Sequence, residues 1–167
     1  PISNALYVLD RQTGGTTAPR VQYFNPAGSY QGQFNGGTLG VISGTASGIS
    51  VASDGRVIVT DTGNHRILAF TAAGIPIRQT GSGPGAGLNE LNAPRASEVG
   101  SDAFSVVLDS GANNRIVAYN LAGGVPTPFA AFTGASSAVS GATLPGEPSL
   151  ISANDAIFEG DHLLIVA

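Results

Sequence analysis

At 167 residues the chain is long enough for one domain of ordinary size, and its apolar residues (42%) far outnumber its charged ones (11%), which excludes a disordered polyelectrolyte. Cys is absent, so disulfides, Cys-based zinc sites, thiolate chemistry and Cys-held iron–sulfur clusters are excluded together. A net charge of −4, with seven basic residues that are all Arg, argues against nucleic acid as partner, and no apolar run is long enough for a membrane span.

The 24 Gly and 10 Pro are dispersed along the whole length, which predicts short strands joined by turns and leaves no window for a long helix. A first strand covers Ala5 to Asp10 (ALYVLD); after a Gly/Thr-rich insertion a second covers Arg20 to Phe24 (RVQYF). Ile49 to Ala52 then leads through Asp54-Gly55, a primed-turn hairpin signal, into Val57 to Thr60, and a short connection carries the chain from Asp61 to a strand ending at Phe70. Beyond the long loop from Gly81 to Leu91 comes a strand holding Glu98, a turn at Gly100 to Asp102, and the segment Phe104 to Tyr119. A second long loop, Gly134 to Pro148, precedes a strand with Glu159, a turn at Gly160-Asp161 and the apolar run Leu163 to Ala167. Strands apolar at every position, such as Val57-Ile58-Val59 and Val106-Val107-Leu108, predict cover on both faces.

Self-comparison exposes a repeat. Arg56 to Phe70 (RVIVTDTGNHRILAF) and Phe104 to Tyr119 (FSVVLDSGANNRIVAY) are copies of one unit with one extra residue in the second connection. Four columns recur about 50 residues apart: Asp10, Asp61 and Asp109; Arg20, Arg66 and Arg115; Phe24, Phe70 and Tyr119; Gly28, Gly74 and Gly123. That period suits four-stranded propeller blades. A β-sandwich is the alternative, but it predicts one wet face and no such columns.

The connection Asp61-Thr62-Gly63-Asn64-His65-Arg66 resembles the signature of the NHL repeat, and SDGRVIVTDTGNHRILAF as a whole is similar to a consensus copy. The resemblance implies an all-β propeller of antiparallel four-stranded blades, here a partial ring of about three to four. One segment would fill 1–167: blade 1 at about 5–36 without its first strand, blade 2 at about 47–81, blade 3 at about 95–133 and an incomplete blade 4 at about 155–167. The members are commonly six-bladed rings, so this one is expected to be a piece of a longer protein, or to be completed by a second copy or by another subunit.

Residues repeated in every blade are needed by every blade. Asp10, Arg20, Asp61, Asn64, Arg66, Asp109, Asn114 and Arg115 are therefore read as a structural clasp, in which Asp accepts backbone N–H bonds, Asn suits a left-handed loop position and Arg pairs with the carboxylate. Asp61 and Arg66 are expected to pair within or between blades. Glu98 and Glu159 fall in predicted first strands, which line the channel of a propeller, and are the candidate channel carboxylates. No catalytic set, cofactor or metal site is expected: two His and no Cys do not assemble the zinc site of the amidating lyases that share this propeller class.

The leading functional expectation is a noncatalytic binding or scaffold module presenting its loops to a protein or glycan. A channel-centred enzyme of lactonase, lyase or hydrolase type is the alternative, and a structural subunit of a larger extracellular assembly is a third. With Pro1 in place of an initiator Met, the chain is expected to be processed or excised, and the absence of Cys and Met favours an extracellular or periplasmic setting.

Overall fold

A computed structural model describes residues 4–11, 18–99, 104–113, 115–120, 127–133, 155–159 and 162–166. Among the described residues, thirteen strands form four antiparallel sheets in chain order. The first holds β1 (Leu6–Asp10), β2 (Arg20–Phe24) and β3 (Tyr30–Phe34); the second holds β4 (Gly48–Val51), β5 (Val57–Asp61), β6 (Arg66–Phe70) and β7 (Pro76–Thr80). The third holds β8 (Ala96–Val99), β9 (Phe104–Asp109), β10 (Arg115–Asn120) and β11 (Thr127–Thr133); the last holds β12 (Asp155–Glu159) and β13 (His162–Val166). Within each sheet the strands follow one another as an up-and-down meander. The first strands β4, β8 and β12 lie beside one another in succession, so the sheets turn about a common side.

Alternation along the strands explains how one sheet serves two cores. In β5 and β6 the residues Val57, Val59, Leu68 and Phe70 join Val21, Ile42 and Ala46 in a cluster against the first sheet. Ile58, Ile67 and Ala69, one position out of phase, join Leu91, Val107, Val117 and Tyr119 in a cluster against the third. Both faces of β5 and β6 are thus dry, as the unbroken apolar runs require and as a sandwich with one wet face would not allow. The first sheet's outer side is different: Leu6 is 59% and Val8 40% exposed, although Val57 and Val59 in the same columns are fully buried.

Two backbone devices recur. β2, β6 and β10 each shift register just before the closing aromatic, between Tyr23 and Phe24, Ala69 and Phe70, and Ala118 and Tyr119, so Gln31, Ile77 and Phe129 of β3, β7 and β11 have no partner in the ladder. Pro76 and Pro128 stand next to these bulges, where an outer strand accommodates a residue without an N–H. The turns that follow close alike, Gly28 N–H onto Asn25 O and Gly74 N–H onto Thr71 O, both 2.9 Å, with φ of 80° and 79° at the glycines. Gly123 lies outside the described residues.

Candidate binding face

Asp61 ends β5, and Arg66, directly opposite in register, opens β6. The carboxylate is fully buried. Its Oδ2 accepts from Arg66 Nε at 2.8 Å and from Asn64 Nδ2 at 2.9 Å, and its Oδ1 accepts from the Ser43 backbone N–H at 2.8 Å. The far side of the guanidinium donates to the carbonyls of Leu39, Gly40 and Val41 and to Gln79 Oε1. The pair thus closes its own hairpin and also fastens the loop that arrives from the preceding sheet.

The third sheet repeats the arrangement atom for atom. Asp109 Oδ2 accepts from Arg115 Nε at 2.8 Å and from Asn113 Nδ2 at 2.7 Å, while Oδ1 accepts from the Asn92 N–H. Arg115 donates to the carbonyls of Ala86, Gly87 and Glu90 in the loop before β8. Asn114 lies outside the described residues; Asn113 occupies the position that Asn64 holds in the second sheet, two residues before the Arg. In the first sheet Arg20 meets Asp10 at 3.2 Å with both side chains about a fifth exposed. His65, not Asn64, takes the left-handed conformation of the connection (φ 55°), as the residue that ends the 3-10 turn Thr62–Asn64, while the Asn64 amide bridges Asp61 and the Val41 carbonyl. The His65 Nδ1 accepts from the Ala93 N–H at 3.0 Å, which ties this connection to the next interblade loop.

These connections and the interblade loops share one face, and Ser43, Asn92 and Asn113 are the clasp members that sequence columns did not mark. Two grooves open there at the same place in successive sheets. One of about 560 Å³, counting space open to solvent, is lined by Ala18, Arg20, Gln33, Phe34 and Asn35. The other, about 700 Å³, is lined by Gly40, Asn64, Arg66, Gln79, Ser82 and their neighbours. Arg20 and Arg66 match, as do Gln33 and Gln79, so each groove is cut by the same strands.

Of the candidate channel residues, Glu98 is half-buried in β8, engaged with a partner, and its carbonyl accepts from Ser105 Oγ at 2.9 Å. The backbone of Glu159 ends β12, the strand beside β8; its side chain lies outside the description. Among the described residues no three His, Asp or Glu side chains gather as metal ligands, and no helix is long and apolar enough to cross a membrane.

Successive four-stranded sheets clasped through an Asp–Arg pair define a β-propeller built from blades, in a partial ring. Residues 44–70, from the interblade loop to the end of β6, match the model of the NHL repeat. The fold is shared with a chain in the crystal structure of a nidogen/laminin complex, at a TM-score of 0.52 and 20% identity over 79% of this chain and 44% of that one. The present chain therefore spans less than half of that neighbour. A streptogramin B lyase structure is similar at a TM-score of 0.47 and 17% identity, over 66% of this chain and 33% of the lyase. No curated protein matches the sequence significantly.

Proposed function

We propose that the chain is a noncatalytic binding module whose partner is a protein, docked on the face where the clasp connections and interblade loops meet. The observation that carries this reading is the recurrence of one groove in two successive blades, rimmed by Gln33 and Asn35 in the first and by Gln79 and Ser82 in the second. An extended partner that crosses from blade to blade meets an equivalent Gln, with a further polar group beside it, at each step, on a frame that does not have to reorganise. The Arg and Asp side chains nearest to it already hold backbone, so they anchor the loops instead of activating a substrate. One structure sharing the fold is itself in a complex, that of nidogen with laminin. The four sheets are read as blades of one ring segment, in an extracellular or periplasmic setting.

The test is a binding screen against extracellular proteins, with a glycan array in parallel. Asn35→Arg and Ser82→Arg, both exposed at the grooves, are expected to weaken a protein partner about tenfold or more, whereas Ser53→Arg and Ala73→Arg on the opposite turns leave it unchanged. Binding lost only through the opposite turns, glycan binding alone, or turnover of lactone or ester substrates would overturn the reading.

A further inference from the structure

The backbone nitrogen that follows an Asn or Asp can close a five-membered ring onto the side-chain carbonyl carbon, and glycine resists least because it has no Cβ. The sequence holds one Asn–Gly step, Asn35-Gly36, and one Asp–Gly step, Asp54-Gly55. The fold treats them in opposite ways. Asp54 Oδ1 accepts from the Arg56 backbone N–H at 3.0 Å and Oδ2 from Arg56 Nε at 2.6 Å, while the Gly55 N–H donates to the Ala52 carbonyl at 2.8 Å. Neither group turns toward the other without breaking these bonds. Other asparagines are restrained too: Asn25 Oδ1 accepts from the Ala27 and Ser29 N–H groups and precedes Pro26, and the Asn64 and Asn113 amides hold the clasp carboxylates.

Asn35-Gly36 has none of these restraints. Asn35 is exposed at the rim of the first groove, its carboxamide makes no hydrogen bond among the described residues, and the Gly36 N–H donates to none of them. The carbonyls of this step are held instead, Asn35 O by the Ile42 N–H and Gly36 O by the Leu39 N–H, both at 3.0 Å. Gly36 has φ 110° and is buried against the Gly40 carbonyl, which a side chain at this position would overlap. The fold therefore demands the glycine that makes Asn35 reactive.

We propose that Asn35 is a site of spontaneous covalent modification. The Gly36 nitrogen bonds to the Asn35 side-chain carbonyl carbon, the bond from that carbon to Nδ2 breaks, and ammonia leaves with the Gly36 proton. Water then opens the ring at either carbonyl, giving aspartate or isoaspartate with no change of oxidation state. Either product places a carboxylate in the groove that Arg20 and Gln33 line. Isoaspartate also routes the main chain through the former side chain, adding a backbone carbon just before the 3-10 turn Gly37–Leu39. That disrupts the Ile42 bond to Asn35 and loosens the loop whose Leu39, Gly40 and Val41 carbonyls hold Arg66. In the second blade Gly81 stands at the place of Asn35, so the modification marks one groove of the two.

The experiment ages the folded chain at body temperature in mildly acid and mildly alkaline buffer, with peptide mapping by mass spectrometry and enzymatic methylation of isoaspartate. Asn35 is expected to convert at least about tenfold faster than Asn64 or Asn113, roughly the factor that one hydrogen bond to be broken imposes. Conversion is expected to be faster in the alkaline buffer, which takes the Gly36 proton more readily, and Asp54 is expected to isomerise only after the chain is unfolded in urea. Hydrogen exchange of the aged chain should show faster exchange at the Leu39 and Ile42 amides. Asn35→Gln, which needs a larger ring, should abolish both the conversion and the change in exchange, with a thermal melt confirming that the variant folds. An Asn35 that stays intact, that converts no faster than Asn64, or whose conversion leaves Leu39 and Ile42 exchanging as before would overturn the proposal.

Discussion

How much an ion pair stabilises a protein is decided by how fully water has been replaced around it. Asp61 and Asp109 are fully buried, and their Arg partners are 12% and 6% exposed, whereas Asp10 and Arg20 keep 23% and 22%. Removing one member of a buried pair leaves a charge and several backbone groups without partners, at about 3–5 kcal/mol; an exposed pair is worth about 1 kcal/mol or less. Asp109→Ala should therefore lower the unfolding free energy by about 3–5 kcal/mol and Arg20→Ala by about 1 kcal/mol or less, in urea titrations. Equal losses would show that burial does not rank the clasps. The Asp and Arg columns were legible because each blade repeats them. Their acceptors were not, since the carbonyls of Leu39, Gly40, Ala86 and Gly87 carry no side-chain signature. The amide partner of Asp109 was obscured by the inserted residue: Arg66 follows its Asp by five positions and Arg115 by six, so only counting back from the Arg finds Asn64 and Asn113 alike.

At the scale of elements, one turn occurs twice with different surroundings, which separates backbone strain from packing. Gly28 and Gly74 both have φ near 80°. A Cβ at Gly28 meets nothing within 4 Å, whereas at Gly74 it would stand 2.2 Å from a Phe34 ring carbon and 2.9 Å from the Phe34 Cβ. Phe34 is held on its other side by the Phe70 ring, 4.7 Å away between centroids. Gly28→Ala should then cost about 1–2 kcal/mol, the left-handed penalty alone. Gly74→Ala should cost clearly more, with a loss of the Phe34–Phe70 contact visible as shifted aromatic NMR resonances; matching losses would refute the clash. The glycine column announced these turns from the sequence. The bulge before each closing aromatic did not announce itself, because it lies in the backbone register and interrupts no apolar column, although Pro76 and Pro128 in an outer strand are its one trace.

For the whole molecule, the decisive feature is that each of the two core clusters among the described residues joins one sheet to the next, so stability is read as a sum over sheets and the layers between them. The second sheet is covered on both faces; the first presents Leu6 and Val8 to solvent. Amides of β5 and β6 should consequently exchange with deuterium most slowly, and those of β1 and β3 faster, in a hydrogen-exchange measurement. Phe70→Ala offers the sharper form of the test, because Phe70 packs only into the layer shared with the first sheet, while its neighbour Ala69 faces the third. If the layers act independently, this variant speeds exchange in β1–β3 and β4–β7 and leaves β9 and β10 protected as before. Uniform acceleration through β9 and β10 would instead mean that the blades open as one body, and the polar seam in which Thr60 Oγ1 meets Ser97 Oγ at 2.8 Å would be the contact through which the loosening passes.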